Sequence, residues 1–316
     1  MEKPSQKTEP AQPDFRTSFY AEISRNKRNS AILAAGVFVV LAALIFFMGY
    51  MFLGPEETGF AFVLGMIITL AYVFGSYYYG DQIVLSSTGA KPLDDRTPKG
   101  RYVKNTVEGL CIAAGIPVPK IYVIESPEMN AFATGRDPEH SSIAFTTSII
   151  EKLNRVELEG VTAHELSHVS NYDIRFGLIV AVMVGLVAIL SDILLRSYWF
   201  GGGRGNDRRE GGSGVVVLYV LGIILAILAP FIVRAVQASI SRKRELLADA
   251  SGAKLTRYPE GLASALEKIG GTNKGNMPVN EAVSHLFFVD PTRTALDSLY
   301  DTHPPIAERV KLLRAM

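Results

Sequence analysis

A single cysteine, Cys111, excludes a disulfide framework and any thiolate-rich zinc or iron–sulfur site in this 316-residue chain. Net charge is equally scarce. The 32 Lys and Arg are almost cancelled by 31 Asp and Glu, so no overall basic field exists for nucleic acid. The chain also lacks the low apolar content and large net charge of a disordered protein, since 48% of its residues are hydrophobic. Histidine is rare as well. There are five, and two of them stand four residues apart.

What the chain has in excess is apolar length. Ala31–Leu53, Gly59–Tyr79, Phe176–Leu195 and Val215–Val233 read as membrane spans, and Asp192 is the only charged residue in all four. At about 1.5 Å per residue, each is long enough for a hydrocarbon core of roughly 30 Å. The lead from Met1 to Ser30 is polar and the first apolar run is too long for a signal peptide, so the run is expected to be a retained anchor. Arg16, Arg25, Lys27 and Arg28 precede the first span, whereas the turn after it has no Lys or Arg. The positive-inside rule then puts the N-terminus in the cytoplasm. Parity places Asp81–Arg175 and Arg234–Met316 there too, although Arg196, Arg204, Arg208 and Arg209 in the second turn run against this assignment. Asp192 and Arg196 are spaced to pair at a helix end.

The expected organisation is a flexible polar tail over 1–30, spans 1 and 2 over 31–79, and the first part of a catalytic domain over 80–173. Spans 3 and 4 follow over 174–236, joined by a glycine-rich loop at 201–214, and the second catalytic part occupies 237–316. Lys120–Glu125, Asn130–Thr134 and Ser142–Thr146 read as short strands, interrupted by Pro127 and by Gly135 with Pro138. Asn154 with Glu157 forms a capping-box signal for a helix running through Asn171. Pro259–Ile269 and Pro304–Ala315 read as further helices. Cys111 is expected to be a buried thiol, and His140 and His285 surface or turn residues.

The chemistry lies on the helix after Asn154. His164-Glu165-Leu166-Ser167-His168 sets two imidazoles one turn apart on one face, with a carboxylate beside the first. Two such imidazoles suit zinc, which needs a third protein ligand and an open position for water. After the fourth apolar run, Glu245 and Asp249 are spaced i,i+4. Alone, a carboxylate pair on a helix is commonly a solvated face. Here the two segments flank a helical hairpin and must emerge on the same side, so Glu245 is the candidate third ligand. Asp249 is the candidate to fix a histidine's orientation from behind.

These motifs, together with Asn130-Ala131-Phe132-Ala133-Thr134-Gly135, RELLADASGA from Arg244 to Ala253, and Thr302-His303-Pro304-Pro305, resemble those of the HtpX-type membrane zinc metalloproteases. That family is related to the prenyl-protein (CAAX) endopeptidases. The resemblance runs from about Ala31 to the end of the chain. It implies one Zn2+ per chain held by His164, His168 and Glu245, Glu165 as general base, and His303 as the group that steadies the oxyanion. It also implies that Asn130, Ala131, Phe132, Ala133 and Thr134 hold the substrate backbone, as an edge strand does by β-addition. Two departures stand out: the long polar tail before Ala31 and the unusually glycine-rich 201–214.

The expected fold is therefore an α+β integral membrane protein. Four transmembrane helices carry a mainly helical, gluzincin-like cytoplasmic zinc-protease domain with a small β-sheet. The expected activity is endopeptidase quality control of misfolded or damaged membrane proteins, at the plasma (inner) membrane of a prokaryote, with both termini cytoplasmic. Its partners are protein or peptide substrates and the lipid bilayer, without nucleic acid. A CAAX-type processing protease and a non-catalytic, zinc-stabilised membrane scaffold are the competing readings.

Overall fold

The computed structural model describes residues 19–201, 220, 223–224, 227–228, 242, 244–279, 281–289, 291 and 304–316. Two long helices open it, α1 (Phe19–Leu53) and α2 (Thr58–Ser87), packed against each other and joined at Gly54 by a left-handed turn. α1 begins well before Ala31, so the end of the tail expected to be flexible over 1–30 is helical. α2 likewise runs past Tyr79 to Ser87. Then come β1 (Lys91–Pro92), α3 (Pro98–Ala114), β2 (Lys120–Ile124), β3 (Ala131–Asp137), β4 (His140–Thr146), α4 (Thr147–Lys152) and α5 (Arg155–Ser170). A third long helix, α6 (Asp173–Gly201), packs on both α1 and α2. The remainder is α7 (244–256), α8 (Pro259–Thr272), the short α9 (Glu281–Ser284) and α10 (Ile306–Arg314).

Two of these helices, α2 over Thr58–Ser87 and α6 over Asp173–Ile193, are long and apolar enough to cross a membrane; within α1 the apolar stretch is Phe38–Tyr50. Exposed Phe60, Ile67, Ile68 and Phe74 line α2, as expected where no polar solvent faces the helix. At the far end of α6, Asp192 and Arg196 pair at 2.7 Å.

The sheet has strand order β1-β2-β4-β3, with β2 parallel to β4 and the outer pairs antiparallel. β3 is therefore an edge. Gly135 does not end it, contrary to expectation. Glycine tolerates the φ of 142° there, the strand continues to Asp137 through a register shift, and the chain turns only at Pro138 and Glu139.

α5 is the central element of the polar part. Its capping box closes in both directions: Asn154 Oδ1 accepts from the Glu157 N–H at 3.0 Å, and the Asn154 N–H donates to Glu157 Oε2 at 2.8 Å. The same Glu157 carboxylate accepts from Lys268 on α8 at 2.6 Å. Around α5 lies the main core, with Val103, Val107 and Cys111 from α3, Leu158, Val161 and Leu166 from α5 itself, and Leu262 and Leu266 from α8. Burial pushes the Cys111 thiol up to about 11, which leaves it inert as a nucleophile.

Two glycines set the separations. A Cβ on Gly160 would lie 2.7 Å from the Leu262 backbone N, and one on Gly252 would lie 3.0 Å from the backbone N of His164. The first brings α8 onto α5; the second brings α7 onto α5 at the histidine motif. Gly160→Ala should therefore cost about 1–3 kcal/mol through overpacking that only a backbone shift relieves. Thermal unfolding of the purified chain should show a lower midpoint, and an unchanged midpoint would mean the α5–α8 contact is looser than described.

Candidate metal centre

α5 turns His164 and His168 toward the same point. Their Nε2 atoms lie 3.1 Å apart, and the ring of His164 is fully buried. α7, held close by Gly252, brings Glu245 to them, with Oε2 3.6 Å from His164 Nε2 and Oε1 3.4 Å from His168 Nε2. One donor atom from each residue lies within 4.8 Å of the others, the only such His/Cys/Asp/Glu group found among the described residues.

The orientation of each ring is fixed from behind. His164 Nδ1 is 2.9 Å from Asp249 Oδ1, and His168 Nδ1 is 3.1 Å from Asp173 Oδ2. With both Nδ1–H groups donating to carboxylates, both Nε2 lone pairs are directed into the space shared with Glu245. Two ring nitrogens and a carboxylate at this spacing repel one another unless a cation lies between them. Burial works against a charge on His164, yet hydrogen bonds to Asp249 and Glu245 raise it above its ordinary range. His168 is raised well above it by Asp173 and Glu245. The pocket thus favours positive charge, and a nitrogen–nitrogen–oxygen donor set fits a metal of zinc's preferences.

Behind Asp249 lies a buried cation. Arg309 of α10 is 1% exposed and grips both oxygens of Asp249, through Nη2 at 2.7 Å and Nε at 2.8 Å. Its Nη1 donates to the Phe288 carbonyl at 3.3 Å, and its guanidinium lies 4.8 Å from the ring centre of Phe288. Desolvation would raise the Asp249 carboxyl, but the charge and hydrogen bonds of Arg309 outweigh it and hold the group at about 2. Asp249 is therefore a carboxylate at every physiological pH.

Glu165 is buried beside His164. Burial raises its proton affinity. A small cleft of about 60 Å³ opens beside the triad, walled by His168, Glu245, Ala133, Phe176, Arg244 and His285.

The remaining expected residues are placed unequally. Of the five in the Asn130–Thr134 run, Ala133 lines the cleft, and all five are buried. Asn130 spends its amide on Val289, donating to its carbonyl at 2.7 Å and accepting its N–H at 3.2 Å. The rim of β3 at Ala131 is taken by Phe288, whose N–H donates to the Ala131 carbonyl at 2.8 Å, and Phe287 bridges to Phe132. His303, the fourth apolar run apart from a few of its residues, and the 201–214 loop beyond Gly201 lie outside the described residues. His140 opens β4 and is exposed beside Asp137, as expected of a surface residue. His285 does lie in a turn, but it is half-buried in the cleft wall.

Sequence reasoning missed Asp173 and Arg309. An acidic residue five positions after His168, opening the next helix, was a usable signal for the first. The second had only a weak signal, one arginine among the buried positions of an amphipathic helix that also buries Val310 and Leu313.

The sequence signature of "Peptidase family M48" matches residues 98–316. The "Protease HtpX homolog" of Thermoanaerobacter pseudethanolicus is 44% identical over 89% of this chain and 93% of its own. That of Dictyoglomus thermophilum is 41% identical over 95% of each, and that of Streptococcus uberis 39% identical over 94% of this chain and 99% of its own. Among solved structures, the "Crystal Structure of S. mikatae Ste24p" superposes with a TM-score of 0.51 at 20% identity, covering 92% of this chain and 66% of that one. That likeness is one of fold.

Breaking the pair behind His164 should separate stability from metal affinity. Arg309→Ala strands a buried carboxylate and should cost about 3–5 kcal/mol. Asp249→Asn keeps the shape but weakens the hold on His164 and should lower zinc affinity about 10–100-fold. Chelator-competition titration with thermal unfolding checks both; wild-type affinity in Asp249→Asn would remove Asp249 from any role in orienting the ligand.

Proposed function

The chain belongs to peptidase family M48 as an HtpX-type membrane metalloprotease, and we propose that it is a zinc endopeptidase acting on misfolded or damaged membrane proteins. The observation that carries the zinc assignment is the convergence of His164, His168 and Glu245, each imidazole held from behind by a carboxylate. Bound there, zinc would supply Lewis acidity, polarising the attacking water and the peptide carbonyl.

The protein's own groups do the rest. Glu165, buried and of raised proton affinity, is the general base: it takes a proton from the attacking water and passes it to the leaving amine. Because Phe288 already occupies the rim of β3 at Ala131, an extended substrate pairs with the part of the edge beginning at Ala133. In this reading Asn130 acts by tying Val289, and with it that rim, in place. His303 is proposed to donate to the oxyanion, where one such donor is typically worth about 3–4 kcal/mol of barrier.

The membrane arrangement belongs to the same proposal. Four spans divide the protease domain, with tail 1–30 ahead of spans 31–79, catalytic residues in 80–173 and 237–316, and the second hairpin at 174–236. The catalytic face and both termini lie in the cytoplasm of a prokaryotic cell. The apolar lengths of α2 and α6 support a bilayer crossing by these two helices, and α6 beginning five residues after His168 supports a metal centre near headgroup level. Substrates then reach the cleft from the bilayer surface. The CAAX-type and scaffold readings are not favoured: the named relatives are HtpX proteases, and a buried base beside a metal site has no use in a scaffold.

Glu165→Gln should retain zinc and lose about 10²–10⁴-fold in peptide hydrolysis, the usual worth of a positioned base. Metal analysis of the same preparation is the control. Wild-type hydrolysis in that variant would remove Glu165 from the mechanism. Chelation should abolish activity and added zinc restore it.

A further inference from the structure

Away from the metal centre, a cleft opens where α2, β2 and the β3–β4 turn meet. It holds about 600 Å³. Its polar wall presents Lys120, Arg136 and His140 with Asp81 and Glu139, and Tyr77 and Tyr78 line it too; Arg136 also lies 3.5 Å from the Asp137 carboxylate. Arg136 is held in place: Nη1 donates to the Tyr78 carbonyl at 3.2 Å, and the guanidinium stacks 5.0 Å from the Tyr78 ring centre. Its own carbonyl accepts from Arg175 at 2.6 Å, so the turn, α2 and the start of α6 are tied at this point.

Below this polar chamber, and sharing Phe74, Tyr77 and Leu178 with it, an apolar groove of about 250 Å³ runs between α2 and α6. From Leu70 in the groove to Asp81 in the chamber is eleven residues of α2, about 16 Å along the axis. The sequence of environments is apolar groove, tyrosines, then fixed charge of both signs. That is the profile of a membrane–water interface compressed into one cleft.

We propose that this cleft seats one zwitterionic phospholipid with a primary-ammonium headgroup. Its phosphate lies against Lys120 and Arg136, its ammonium against Asp81, Glu139 and the tyrosine faces, and an acyl chain fills the α2–α6 groove. Matched positive and negative groups fit this headgroup better than an anionic one, which would meet two carboxylates. They fit it better than a peptide or apolar helix, which would leave the charged wall unmatched. The proposal rests on the reading that α2 and α6 lie in the bilayer. It gives the protease domain a fixed height, because the lipid bridges α2 to the β3–β4 hairpin whose first strand carries Ala133.

The test uses the full chain reconstituted in vesicles of equal parts phosphatidylethanolamine, phosphatidylglycerol and phosphatidylcholine, followed by native mass spectrometry of the extracted protein. One copy of phosphatidylethanolamine should be retained, about tenfold over either competitor. Lys120→Glu and Glu139→Lys, both at exposed positions outside the metal centre, should each abolish that preference, with unchanged zinc content as the control for folding. Equal retention of the three lipids, or a preference that survives both variants, overturns the proposal. So does complete disulfide formation between Val73→Cys and Ile224→Cys without retained lipid, which would put the chain's own apolar run in the groove. An alkaline carbonate wash of native membranes separates the two readings. A chain that washes off loses both, whereas one that stays in the membrane without headgroup preference loses only the lipid site.

Discussion

Two imidazole nitrogens 3.1 Å apart, with a carboxylate beside them and water largely excluded, are mutually repulsive until a cation joins them. Much of the polar domain serves to keep them there. The capping box fixes the start of α5, Gly252 lets α7 come into backbone contact, and Asp249 and Asp173 aim the two rings. Arg309 then neutralises the carboxylate behind His164. Each part would be costly alone: a buried guanidinium, a buried aspartate and facing lone pairs. Together with a divalent ion, their charges alternate in sign from α10 to the centre of the site.

That alternation explains the placement of the last helix. α10 is far in sequence from the histidine motif, yet its Arg309 reaches through the core to within 3.5 Å of His164 Nδ1. Its other contacts, the carbonyl and ring of Phe288, belong to the segment that also covers the rim of β3. The C-terminal helix, the candidate metal centre and the edge strand β3 are thus one packed unit. Displacing any of the three disturbs the others.

The local chemistry was legible in the sequence wherever spacing along one helix decides geometry. His164 and His168 share a face because they are one turn apart, and Asn154 with Glu157 closes the helix start for the same reason. The strands near Lys120, Asn130 and Ser142 could be read from short apolar runs, although Gly135 continued its strand instead of breaking it. What could not be read was partnership across the chain. Nothing near Asn130 indicates that its amide is spent on Val289, and nothing near Arg309 indicates a carboxylate sixty residues upstream. Asp173 was close enough to infer, since it follows His168 by only five positions.

By itself, the sequence determined the two imidazoles on one helix face, the carboxylate beside them and the apolar lengths of the long helices, because these depend on residue type and on repeats of a few residues. Only the tertiary structure decided which carboxylate supports which imidazole, how much of the β3 edge remains open, and that His285 and Arg244 wall the cleft. Those outcomes depend on packing between segments separated by tens to more than a hundred residues. At that range, shape and buried charge select the partners, and no local pattern encodes them.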